Sequence, residues 1–223
     1  SRSHPVLSTM PPSRTIAKVA ERGCSEDTRP LLIASKEAGI IKSSIITTQR
    51  WIQSFVVELN LCPFAQHVTA RDVIRYTACA NESLQDILHA LHEEMDWLES
   101  DPETETSFLI LTSAMEDFSD FNDCLAMAKE LLVMMNWVGR YQLVGFHPHH
   151  QFDATDPGDA ENYTNRSPYP MVHILRESSV TQAVDATEDI ALIPERNTNT
   201  LNQLGVEVLI NRWRDCHLEH HDE

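Results

Sequence analysis

The apolar positions Ile52, Phe55, Val56 and Leu59 fall at helical spacing, and Cys62 extends the same face. This predicts a helix capped by Thr47 or Thr48 and stopped by Pro63. From residue 71 the period changes to two. Ile74, Tyr76 and Ala78 alternate with Arg75 and Thr77, as a half-buried strand requires. Ser83 then caps a helix whose stripe is Leu84, Ile87, Leu88, Leu91, Met95 and Leu98, closed by Asp101 and Pro102. The run SFLILTS is apolar on both faces and predicts a central strand covered on both sides. A further helical stripe follows from Asp120: Phe121, Leu125, Ala128, Leu132 and Met135, with Met127, Met134 and Met135 as core filler and Gly139 suited to the left-handed position after the last turn.

YQLVGFHP predicts a third strand that delivers His147 at its end, on the face of Leu143 and Gly145, where the glycine leaves room for a ligand or a second backbone. MVHIL predicts a fourth, with His173 between Met171 and Leu175. Ser178 or Ser179 caps a short helix to Ala186, Pro194 opens another that Gly205 interrupts, and Trp213 ends the last apolar turn. This order predicts an α+β fold: a compact sandwich of a roughly four-stranded sheet with helices packed on it, with ferredoxin-like and small mixed α/β arrangements as alternatives. Residues 1–42 read as a poorly ordered N-terminal arm and 43–223 as a single α+β domain.

Charge narrows the function. With 34 acids against 17 bases the formal charge is −17, which repels phosphate backbones and anionic lipid, so neither nucleic acid nor membrane is an expected partner. The five cysteines form no CxxC pair, so a disulfide framework and a structural zinc site are not expected. A cytoplasmic location follows, with organelle targeting through the basic N-terminal arm as the alternative. Oligomeric state is not legible.

Residues 145–177 concentrate the candidate chemistry. His147, His149, His150 and His173, Arg166 and Arg176, and Asn162 and Asn165 share one segment, much of it a long loop, and such loops inside compact domains are usually functional or disordered. Phe146, Phe152, Tyr163 and Tyr169 supply apolar anchors that a disordered segment lacks.

The phrases NLCPFA, FHP, QF and NYTNRSPYPMVHILRE carry a family likeness. Over about residues 47–213 the chain resembles the uncharacterised family known as domain of unknown function 1415. The resemblance implies that Cys62, Phe146, His147, Pro148, Gln151, Phe152, Asn162, Asn165, Arg166, Ser167, Pro168, Pro170, His173, Arg176 and Glu177 occupy motif positions. It implies no activity. His149 and His150 depart from the family pattern, which weakens any scheme that needs them.

The leading expectation is a cytosolic enzyme that binds a small anionic molecule, a carboxylate or phosphate. Arg166 and Arg176 would clamp the anion, Asn162 and Asn165 orient it, and His147 or His173 act as acid/base. Cys62 has two readings. At a helix C-terminus the dipole raises its pKa and favours an inert core thiol; beside His147 or His173 it becomes a nucleophile. A metal-dependent hydrolase is an alternative, with a divalent ion on His147 and His149 or His173 and one of Asp153, Asp156 or Asp159. The last alternative is a non-catalytic protein-binding module, for which Tyr163 and Tyr169 should form an exposed patch.

Overall fold

All four expected strands form: β1 (Ile74–Cys79), β2 (Thr106–Leu111), β3 (Tyr141–Phe146) and β4 (Met171–Arg176). They make one mixed sheet in the order β1-β2-β4-β3, with β1 parallel to β2 and β4 antiparallel to both its neighbours. β2, apolar on both faces in sequence, lies inside the sheet with every residue buried. The structure is a computed structural model and describes residues 29–187 and 189–218.

Two helices cover one face. They are α3 (Leu84–Ser100) and α4 (Phe118–Met134), which bury Leu91, Met95, Leu98, Phe121 and Leu132 against Leu109, Leu143, Val172 and Ile174. Ser83 caps α3 as expected, its Oγ accepting from the Asp86 N–H at 3.1 Å. The opposite face is covered by α1 (Arg29–Trp51) with a π-helical continuation (Ile52–Val57), α2 (Pro63–Ala70), α5 (Glu177–Asp185), α6 (Ile193–Leu204) and α7 (Val206–Asp215). The α+β sandwich is therefore as expected.

Several local expectations need correction. The first helix begins at Arg29, so its start precedes both the expected cap and residue 42, while residues 1–28 of the expected arm lie outside the described residues. Thr48 is no cap: it lies within the helix, fully buried, and its hydroxyl donates to the Ser44 carbonyl at 2.8 Å, which satisfies it there. Asn60, in the left-handed region at φ 52°, ends the first helical stretch, and Pro63 begins α2 rather than stopping α1. Likewise α4 ends at Met134, with Asn136 rather than Gly139 taking the first left-handed position. Met127, Met134 and Met135 are exposed, not core filler: Met127 and Met134 fall off the face that meets the sheet, and Met135, expected in the stripe, lies just past the end of α4.

Candidate functional site

Strand alternation decides which candidates meet. On β4, Val172 and Ile174 face α3 and α4, so His173 faces the other way, toward α1 and α2. On β3, Leu143 and Gly145 face α4, and His147 continues on their side to pack against Phe118 and Phe121, each ring centroid 5.2 Å away. His147 and His173 thus belong to different faces of the sheet. The space beside Gly145 is taken by side chains of α4. A Cβ there would meet Leu125 at 2.7 Å and Phe121 at 2.8 Å, so the missing side chain admits α4.

His147 is fully buried with both ring nitrogens engaged. Its Nε2–H donates to the Met115 carbonyl at 2.9 Å, and Nδ1 accepts from the His149 N–H at 3.0 Å. Burial lowers its pKa, so it is held as a neutral pin between loop and turn. This corrects the metal pairing. His147 has no free lone pair, His149 is exposed beyond the end of β3, and among the described residues no three His, Cys, Asp or Glu side chains are grouped to hold a metal. His150 is held neutral by burial and by Arg166, its pKa pushed down to about 4, and its buried Nε2 has no partner.

The two arginines and the two asparagines hold backbone. Arg166 donates to the carbonyls of His150 at 3.0 Å and Pro157 at 2.7 Å and lies over the Tyr163 ring. Arg176 donates to the carbonyls of Leu98, Asp101 and Thr104, gathering the end of α3 and the turn after it. Neither guanidinium is presented as a fork to an anion: Arg166 is taken up by the loop carbonyls and Arg176 by those around the end of α3. Asn162, fully buried, accepts from the Phe152 N–H and the Thr155 hydroxyl, both at 2.9 Å, and donates to the Asp156 carbonyl at 2.8 Å. The Asn165 carbonyl accepts from the His147 N–H at 3.2 Å. The segment is a self-bonded loop. Tyr163 is buried and Tyr169 half-buried, so the exposed tyrosine patch expected of a binding module is not formed either.

Cys62 and His173 do share a pocket. Both line a cavity of about 50 Å³ walled by apolar side chains that include Trp51, Phe64, Phe108 and Phe146. That volume admits a few waters or a fragment of a few heavy atoms. His173 pairs across the strands with Phe108, and their rings stack at 3.9 Å. Its Nε2 lies 2.7 Å from Thr106 Oγ1, and the Thr106 hydroxyl donates to the Ile174 carbonyl at 2.6 Å. Because that hydroxyl proton is committed, Thr106 accepts from His173 Nε2–H, which leaves Nδ1 as the ring's lone-pair nitrogen. Burial pushes the His173 pKa down to about 3, so the ring is neutral at ordinary pH.

Cys62 is the N-cap residue of α2, not the C-terminus of α1, so the expected dipole is reversed. Burial raises the thiol pKa, while the backbone N–H groups of Ala65 and Phe64 oppose the rise. The turn is held from outside: Arg196 and Asn197 on α6 donate to the carbonyls of Asn60 and Leu61 at 2.7 and 2.8 Å. Above the cavity the helix is π-wound over Ile52–Val57, a conformation that recurs at functional sites, and Ile52 and Val56 from that segment line the wall. Trp51, 1% exposed, also lines it, and its Nε1–H has no acceptor.

Trp51, Thr106 and Phe108 were not among the expected site residues. Phe108 and Thr106 share a strand face at a spacing of two, which sequence shows, but their meeting with His173 depends on the β2–β4 register.

No curated protein and no solved structure matches the chain. A family model does match, over residues 43–211, which include both Cys62 and His173, and by that match the chain belongs to the family described as protein of unknown function (DUF1415).

Proposed function

We propose that the protein is an enzyme acting on a small molecule by thiol chemistry, with Cys62 as nucleophile and His173 as the group that accepts its proton. The observation that carries this reading is that the two residues, far apart in sequence, line one cavity; Trp51, whose buried indole N–H has no acceptor, is another of its walls. The roles follow from the atoms. Cys62 caps a helix whose first amides favour a thiolate, and His173 keeps Nδ1 as acceptor because Thr106 fixes its other nitrogen. A neutral thiol and a neutral imidazole are the resting state of so desolvated a pair. The proton therefore moves during reaction rather than before it.

Site-resolved alkylation of the folded protein tests this reading. Cys62 should react faster than the buried thiols Cys79 and Cys124, and His173→Gln should slow Cys62 while leaving those two unchanged. Equal rates at all three thiols, or a Cys62 rate indifferent to His173→Gln, would remove the proposal.

A further inference from the structure

We infer that the substrate group entering the Cys62 cavity is a small, uncharged carbonyl compound, recognised through its carbonyl oxygen by Trp51 Nε1–H; this rests on the reading of Cys62 as the nucleophile. The inference starts from the walls. Among the described residues that line the cavity none is a carboxylate, lysine or arginine, and apart from the thiol and His173 they are apolar or aromatic. A carboxylate or phosphate brought there would lose its water and gain no counter-charge, which is strongly unfavourable. An uncharged group pays no such penalty, and about 50 Å³ restricts it to a few heavy atoms.

The polar inventory then selects the functional group. Trp51 Nε1 is a donor only, buried and without an acceptor, so it is satisfied by a ligand oxygen that accepts. A carbonyl oxygen does this, and its carbon is the electrophile that a thiol attacks. In the step, the Cys62 Sγ–carbon bond forms as the carbon–oxygen π bond breaks. The electron pair goes to the oxygen, which accepts from Trp51 Nε1–H, and the thiol proton passes through His173 Nδ1 to that oxygen. The product is a hemithioacetal. No oxidant, reductant or second reactant is needed, and the reverse step releases the compound. The donor at the developing oxyanion serves as an oxyanion hole does, among apolar walls that strengthen the hydrogen bond.

The test uses the full chain and two near-isosteric reagents, iodoacetamide and iodoacetate. Rates at Cys62 are read by peptide mass spectrometry in folded protein and in the urea-unfolded chain. The folded protein should favour iodoacetamide over iodoacetate by about tenfold more than the unfolded chain does. Propionaldehyde, unlike propionate, should protect Cys62 in wild type and lose that protection in Trp51→Phe, which keeps a ring but removes the N–H. The same reagent ratio in folded and unfolded protein, or equal protection by propionate, overturns the carbonyl inference while the His173 dependence of the Cys62 rate still stands. Failure of both reagents to label Cys62 faster than Cys79 sinks the nucleophile reading itself. A Trp51→Phe chain that no longer folds leaves the wild-type comparison of propionaldehyde and propionate to decide.

Discussion

His147 and His173 lie on opposite faces of one sheet, His147 packed between Phe118 and Phe121 and His173 stacked on Phe108. The separation assigns them different work. His147 spends both nitrogens holding Met115 and the start of the long loop, whereas His173 spends one and keeps one.

The desolvated imidazoles, His147 buried and His150 and His173 half-buried, make the fold acid-sensitive. Unfolded histidine takes up its proton near 6.5, but folded His150 resists until about 4 and His173 until about 3, and burial also lowers His147. Between those values the unfolded chain binds more protons, so stability is complete above pH 6.5 and is lost as pH falls below it, at up to about 1.4 kcal/mol per pH unit for each imidazole. Urea denaturation at pH 7.5, 6 and 5 should show this decline, and His173→Gln should make it shallower. A flat profile would count against desolvated neutral histidines.

Thr106→Val removes the acceptor of His173 Nε2–H while preserving shape. The variant should lose about 1–3 kcal/mol for the unsatisfied buried donor. Its Cys62 alkylation should also slow, because the ring loses the bond that fixes its tautomer. Unchanged alkylation in a folded Thr106→Val protein would show that this hydrogen bond plays no part in reactivity.

Arg176→Ala separates scaffold from site. Its guanidinium gathers three carbonyls around the end of α3, so truncation should cost about 2–4 kcal/mol, seen as a lower Tm. Cys62 reactivity should stay within twofold of wild type under folding conditions, roughly the scatter expected for distant, independent sites. An anion clamp would behave in the opposite way, with loss of ligand response and little loss of stability.

Asn162→Ala should loosen the long loop without touching the cavity. Three hydrogen bonds from one buried amide go with it, worth about 1–3 kcal/mol together once water competes. Limited proteolysis should then cut within residues 147–170 faster than in wild type. Equal cleavage rates would mean that the backbone turns alone hold the segment.

Much of the fold was legible because strand periodicity is local. The two-faced apolar run became β2, and the alternation in YQLVGF put His147 on the face of Leu143 and Gly145, which α4 covers. The same rule placed His173 between Met171 and Leu175, away from Val172 and Ile174, so the separation of the two histidines was implicit in the pattern once strand pairing was known. What could not be read were matters of distance. Arg176 and Thr104 are 72 positions apart, and nothing local distinguishes an arginine that binds carbonyls from one that binds a ligand. Cys62 was misplaced for a different reason. Proline stops one helix and starts another with equal ease, and the left-handed Asn60 that settles the matter has no unique sequence mark.

The exposed apolar side chains Val133, Met134 and Val138 near the end of α4 lie on the far side of the sheet from the cavity and bear on none of this chemistry.

Nitrogen NMR of the histidine rings, compared between wild type and Cys62→Ser, asks most directly whether thiol and imidazole share one chamber. The His173 Nδ1 resonance should move on substitution, in the neutral Nε2–H tautomer in both proteins, while the His147 resonances stay in place. A His173 signal indifferent to the change at Cys62, or one that titrates near 6.5, would contradict the shared cavity and the chemistry built on it.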